Sequence, residues 1–368
     1  MTLATIGRVW ALARVQVGWD MPTAFLRCGA ANDVLADCRP GRVSLVVTSP
    51  RYLDLIDYTA AARGEVGWRP PTREVLSAYV GEHLQTCGWL AEMTAPDAVV
   101  AIEVDNYRDV EARALVPLPD LWRQMLEATG FRLVEHITLV RPIALGHRSG
   151  HFKRTRGAPG YFYPDSVSSQ LVIAMKGDPM ARLRRLAAPA ERIPLAWAER
   201  FLKNVWRLAP PPGVRRGHPV PMDAAIVRAL ITFYSRPGDV VLDPFAGSGT
   251  TGWEAAALDR VPWLIEREPP FADAIRQRFQ AARIPVRRLR ADRRTLVTGA
   301  ALHLALGAPI EAAARRAYLT AAQGDITPRL QEIARIASDL AGVTFSPEVV
   351  ALMMRAERAF YQGRPRAA

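Results

Sequence analysis

Two hydrophobic rhythms alternate along the chain. Short apolar runs bounded by Gly, Pro or charged positions recur at 24–28, 42–48, 98–104, 131–140, 169–176, 240–242, 262–265 and 286–289. Such runs read as strands buried on both faces. Between them, apolar positions spaced by three and four predict helices over 72–93, 121–129, 223–235, 251–258 and 269–283. Thr72 stands where a cap belongs, and Gly130 ends the second helix. Strands alternating with helices predict an α/β fold, a doubly wound and mostly parallel sheet, over residues 1–290. Beyond about 291 the strand pattern stops. Residues 300–362 are rich in Ala, Leu and Arg at helical spacing, with Thr327-Pro328 and Ser346-Pro347 as helix starts, so 291–368 is expected to be a helical C-terminal extension. Residues 1–21 carry scattered Trp, Val and Arg without a period and are read as an edge strand or an arm.

The most informative stretch is 239–266, DVVLDPFAGSGTTGWEAAALDRVPWLIE. A buried strand ends at Asp243, a turn of small residues follows, then a helix, then a second strand ending at Glu266. Gly247 and Gly249 lack a Cβ, so the chain can turn sharply and a ligand can lie against bare backbone. An acid at the tip of the second strand is well placed for two ribose hydroxyls. A turn that merely packs a helix on a strand is the alternative reading. The turn lacks the third glycine of a pyrophosphate-binding loop, and no Lys-Ser/Thr pair follows it as in a phosphate loop. Asp243 would repel phosphates and attract a cationic amine. A nucleoside bearing an amino acid, S-adenosylmethionine, therefore fits better than NAD or ATP.

Charge adds a direction. Lys and Arg number 48 against 36 Asp and Glu, a formal net charge of +12, which favours a polyanionic partner. Arg-rich composition from a GC-rich genome is the competing explanation. The three cysteines, Cys28, Cys38 and Cys87, form no C-x-x-C pair, which argues against a disulfide framework and for a reducing cytoplasm. No signal-peptide core or membrane-length apolar segment is read in the sequence, so no membrane partner is expected. The stretch 145–163, LGHRSGHFKRTRGAPGYFY, combines cations with aromatics. Arg148, Lys153, Arg154 and Arg156 suit phosphates, and the aromatics suit stacking on bases; a solvated surface loop is the alternative. His147 and His151 lack a third ligand, and no metal is expected.

Asp243-Pro244-Phe245-Ala246-Gly247-Ser248-Gly249-Thr250-Thr251 resembles the cofactor motif of amino-group DNA methyltransferases, which methylate N4 of cytosine or N6 of adenine. Upstream, Thr48-Ser49-Pro50-Arg51-Tyr52 is similar to their catalytic motif, Ser/Asn/Asp-Pro-Pro-Tyr/Phe. The catalytic motif comes first, the permuted order of the β class, and the resemblance covers roughly 25–279. It implies a Rossmann-like, S-adenosylmethionine-dependent methyltransferase fold. The implied cofactor residues are Asp243, Pro244, Phe245, Gly247, Ser248, Gly249, Thr250 and Glu266. Asn204-Val205-Trp206 and His218 resemble the family's segment before the cofactor unit, which packs against the methionine end of the cofactor.

The resemblance also implies roles for Ser49, Pro50 and Tyr52. An exocyclic amine conjugated to its ring is a poor nucleophile. Hydrogen bonds from the amine to Ser49 Oγ and the Pro50 carbonyl would align its lone pair with the methyl group. Tyr52 would stack on the target base and favour a developing cation. By itself, Ser49-Pro50 reads equally as a turn that stops a strand.

Cytosine N4 is the first choice of target and adenine N6 the second, because Ser in the first motif position is more common in cytosine-N4 enzymes. The implied partner is double-stranded DNA, with insertions at 144–165 and 178–217 contacting it and the C-terminal extension a candidate for homodimer formation. A bacterial or phage restriction–modification setting is implied. Three departures stand out: Arg51 replaces the second proline and is read as a phosphate contact, Gly29-Ala30 replaces the family's Gly-Asp, and Leu139 stands where an aromatic is usual. They keep open a DNA-binding relic without activity; methylation of RNA or protein is a third reading.

Overall fold

The computed structural model describes residues 22–36, 38, 41–51, 73–109, 114–140, 168–180, 182, 199, 201–208 and 221–288. Strand β1 (Ala24–Cys28) leads into a short helix α1 (Ala31–Ala36), and β2 (Val43–Thr48) ends just before Ser49. Helix α2 (Arg73–Met93) runs directly into β3 (Thr94–Val104). A hairpin of β4 (Tyr107–Asp109) and β5 (Ala114–Val116) precedes α3 (Leu118–Ala128) and β6 (Arg132–Val140). Then come β7 (Ser168–Met175), β8 (Val205–Arg207) and α4 (Ala224–Tyr234). The glycine-rich unit is β9 (Val240–Asp243), α5 (Thr250–Ala257) and β10 (Val261–Glu266), followed by α6 (Pro269–Ala281) and β11 (Val286–Arg288).

The main sheet has the order β11-β1-β10-β9-β2-β3-β7-β6-β8. Its pairings are parallel except the two made by β7, with β3 and β6. The mostly parallel α/β reading is correct. Burial on both faces follows from the alternation of side chains along a strand. Val46, Val100, Ile102 and Leu242 face a core built with α2 and α3. Leu45, Val47, Ala101 and Val241 face the opposite core, built with α4. A third cluster packs Phe279 and Ile275 of α6 on Leu26 and Leu264.

The helix ends follow local chemistry. Asp223 caps α4, its carboxylate accepting from the Ala225 N–H at 2.7 Å. Helix α3 begins three residues earlier than its apolar spacing predicts, because Pro119 is tolerated in a first turn. The hairpin β4–β5, the short α1 and strand β8 have no counterpart among the predicted elements. The resemblance puts residues 204–206 beside the methionine end of the cofactor. Strand β8 forms the far edge of the sheet instead, with β2, β3, β7 and β6 lying between it and β9. The reason is packing: Trp206 is buried there against Phe201, ring centroids 4.7 Å apart. The expected arm at 1–21, the insertion at 144–165, most of that at 178–217 and the extension at 291–368 lie outside the described residues.

Candidate active site

The two motifs meet because β9 and β2 are parallel neighbours. Their carboxyl ends open on the same edge of the sheet, where ligands of open α/β folds bind. Thr48, the last residue of β2, donates its hydroxyl to Asp243 Oδ1, at the end of β9, at 2.6 Å. The Phe245 N–H donates to the same oxygen at 3.0 Å. Asp243 is 3% exposed, and burial pushes its carboxyl up to about 6, with hydrogen bonds from Thr48, Thr251 and Phe245 opposing the rise.

The turn after Asp243 is held from several sides. Gly247 and Gly249 have φ of 50° and 72°, the left-handed region that favours glycine. At Gly249 an added Cβ would also stand 2.9 Å from Ile275 Cγ1, so helix α6 closes against this turn. Ser248 Oγ and Thr250 Oγ1 share a hydrogen bond of 2.9 Å. Arg278 stacks 4.5 Å over the Trp253 ring and donates to the Ser248 carbonyl at 3.2 Å. Pro244 continues from Asp243 into the turn.

Glu266, at the tip of β10, faces the turn. Its Oε2 accepts from the Gly247 N–H at 2.6 Å and its Oε1 from the Glu268 N–H at 2.8 Å. Each carboxylate oxygen keeps a further acceptor site, so the acid can still receive two hydroxyls. Burial pushes its carboxyl up to about 7, against the two backbone N–H groups and the nearby Arg51 charge. The Gly29 N–H donates to the Glu266 carbonyl at 2.9 Å, which sets the Gly29-Ala30 departure and Asp33 of α1 beside this acid.

On the other side of Asp243, Ser49 is half-buried and Pro50 buried. Arg51, read from sequence as a phosphate contact, instead pairs with Glu268, Nη2 to Oε1 at 3.0 Å. Tyr52, His218, Arg148, Lys153, Arg154 and Arg156 lie outside the described residues. Leu139 is fully buried in the core beside Trp206, its register partner. Among the described residues no group of His, Cys, Asp or Glu could hold a metal ion, and no helix is long and apolar enough to cross a membrane.

Two groups near the site escaped the sequence reading. His83 of α2 is buried beneath the glycine turn, its ring 5.4 Å from Phe245, 4.0 Å from Tyr79 and 5.0 Å from Trp122. Its Nδ1 lies 2.7 Å from the Tyr79 carbonyl. A carbonyl only accepts, so Nδ1 carries the proton, and Nε2 is a buried lone pair without a hydrogen-bond partner among the described residues. Burial lowers the imidazole below its ordinary value, which keeps it neutral. The signal was a histidine on the apolar face of a predicted helix, four residues from Tyr79. The second group is Glu103, one step past Ile102, which is the register partner of Thr48. It is 1% exposed and accepts from Ser169 Oγ at 3.0 Å. Nothing short of strand pairing places it level with Ser49.

The fold and the paired strand tips define a methyltransferase-type α/β domain with catalytic and cofactor motifs in permuted order. A family model described as DNA methylase, the N6/N4 methyltransferases, matches residues 43–277, and the chain belongs to that family. The Type II methyltransferase M.HinfI of Haemophilus influenzae is 36% identical over 90 residues, 22% of this chain and 25% of that protein. The Type II methyltransferase M2.MboI of Moraxella bovis is 35% identical over 81 residues, 21% of this chain and 29% of that protein. The chain thus matches between a quarter and a third of the length of these curated relatives. Among solved structures, the DNA modification methylase TTHA0409 of Thermus thermophilus, complexed with S-adenosyl-L-methionine, superposes with a TM-score of 0.54 at 23% identity, covering 73% of this chain and 98% of that one. The cytosine-N4-specific PvuII DNA methyltransferase gives 0.51 at 17% identity, covering 71% and 89%. At these identities the likeness is one of fold.

Proposed function

We propose that this chain is an S-adenosylmethionine-dependent DNA methyltransferase that modifies an exocyclic amine, cytosine N4 first and adenine N6 second. The observation that carries this reading is the 2.6 Å bond from Thr48 to Asp243. It ties the residue before Ser49 to the acid that opens the glycine turn, so amine-binding and cofactor-binding groups share one buried link.

The residues present fit the cofactor. Glu266 retains acceptor capacity for a vicinal diol, the glycine backbone at 247–249 leaves room for close approach, and Asp243 offers negative charge to a cationic amino acid. When bound, the cofactor supplies an electrophilic methyl group on a sulfonium. Ser49 Oγ and the Pro50 carbonyl accept hydrogen bonds from the target amine, which turns its lone pair away from the ring. Tyr52 stacks on the base. The base leaves the duplex to reach this loop, because in-line attack is sterically closed within the stack. Most of the rate gain comes from holding nitrogen and methyl carbon in line. The basic residues Arg148, Lys153, Arg154 and Arg156 contact DNA phosphates.

Mass spectrometry of nucleosides after incubation with DNA and with RNA tests this directly. N4-methylcytosine in the DNA digest is expected. N6-methyladenine would select the second target, and a methylated RNA nucleoside or no product would overturn the reading. Ser49→Ala is expected to abolish transfer while cofactor binding, followed by calorimetry, survives. Loss of both would make Ser49 structural.

A further inference from the structure

The Arg51–Glu268 pair crosses the cleft. Strands β10 and β2 lie on either side of β9, so the loops leaving their tips stand about two strand spacings apart, roughly 10 Å. Arg51 follows the end of β2 and Glu268 the end of β10, and their 3.0 Å contact closes that gap beside the tip of β9, where the glycine turn begins. Arg51 is 28% and Glu268 13% exposed at the side chain, so water screens the pair only in part. Glu268 has a second duty, since its N–H donates to Glu266 Oε1. One residue therefore both anchors the arginine and orients the acid read as the ribose ligand. The Arg51 charge also favours the ionised form of Glu266 and disfavours protonation of His83 beneath Phe245. It bears on both ends of the nucleoside cleft.

The resembled motif carries proline at this position, which fixes φ and stiffens the loop. Arginine returns that backbone freedom and supplies a side-chain tether in exchange. We propose that the Arg51–Glu268 pair is a cross-cleft tie that positions the Ser49-Pro50 loop against the nucleoside end of the cofactor site. The proposal rests on the function proposed above. It makes Arg51 a positioning residue on the cofactor side of the cleft, in place of a phosphate contact.

A double-mutant cycle on the full chain tests it, with S-adenosylmethionine as the titrant in calorimetry. Glu268 precedes α6 without a side-chain capping bond, so Glu268→Ala removes no cap. Arg51→Ala and Glu268→Ala are each expected to weaken binding roughly three- to tenfold. The double variant should be no weaker than the worse single one, and the exchanged pair Arg51→Glu with Glu268→Arg should recover part of the loss. A merely structural pair would lower the melting temperature and leave affinity alone. Unchanged affinity in Arg51→Ala, tighter binding, or effects that multiply in the double variant would each overturn the tie. So would a loss confined to DNA binding and its salt dependence. If the unmodified chain binds the cofactor but methylates no DNA, the catalytic reading fails while the cycle still decides the tie. If it binds no cofactor, both fall.

Discussion

Replacing Thr48 with valine removes one hydroxyl and keeps the shape of the side chain. Thr48 is 0% exposed and its bond to Asp243 is 2.6 Å long, so water cannot substitute for it. With Asp243 ionised, a hydrogen bond to a charged group is worth about 1.5–3 kcal/mol, and with Asp243 neutral about 1 kcal/mol. Asp243 titrates at about 6, so the penalty is larger at pH 8 than at pH 5. Linkage gives the same sign. The Thr48 bond lowers the Asp243 pKa, its loss raises that pKa further, and the added cost is felt only where the native carboxyl is ionised. Thermal unfolding of both proteins at pH 8 should show a drop of roughly 4–8 °C for about 2 kcal/mol in a domain of this size. About half of that should remain at pH 5. Groups common to both proteins cancel in the difference. A penalty equal at the two pH values, or under about 0.5 kcal/mol at pH 8, would refute the claim that this bond joins the two motifs through a charged acceptor.

The remaining predictions concern the cofactor end. Glu266→Gln can satisfy only one of the two backbone N–H groups that its carboxylate now serves, from Gly247 and Glu268. The amide NH2 must face the other, so a stability loss of about 1–3 kcal/mol in urea unfolding is expected together with weaker cofactor binding. Gly249→Ala meets a left-handed φ of 72° and Ile275 Cγ1 at 2.9 Å, so it should cost about 2 kcal/mol or more by the same assay; a neutral result would mean the turn is looser than its geometry. Burial raises Asp243 to about 6 and Glu266 to about 7. In the free protein their stabilising contribution is present below the ordinary carboxylate range and lost as pH rises through those values. A cationic, diol-bearing cofactor favours the ionised forms, so its affinity should rise between pH 5 and 8. Binding should release protons near pH 6.5, as calorimetry in buffers of different ionisation heat would show; proton uptake would contradict it.

The glycine turn shows why part of the site was legible in one dimension. Asp243, Gly247, Gly249 and Glu266 belong to one β9–α5–β10 unit, so turn chemistry and strand length bring them together locally. Gly247 and Gly249 take left-handed conformations that cost little without a Cβ. Arg51 shows the opposite case. Its cation looked suited to a phosphate, yet its partner Glu268 is 217 positions away in sequence. His83 was visible as a histidine at a helical apolar position, but the lone pair it buries under Phe245 depends on which helix covers which turn. Residues 204–206 resembled a cofactor-proximal segment, and the packing of Trp206 took their strand to the far edge of the sheet.

By itself, the sequence determined the kinds of element, their alternation, and the chemistry carried by each strand tip, because period and turn residues act over a few neighbouring positions. Only the tertiary structure decided that β2 lies against β9, that Thr48 bonds Asp243 and that Arg51 spans to Glu268. Strand order is set by which apolar faces bury best together, and that choice is made among segments far apart along the chain.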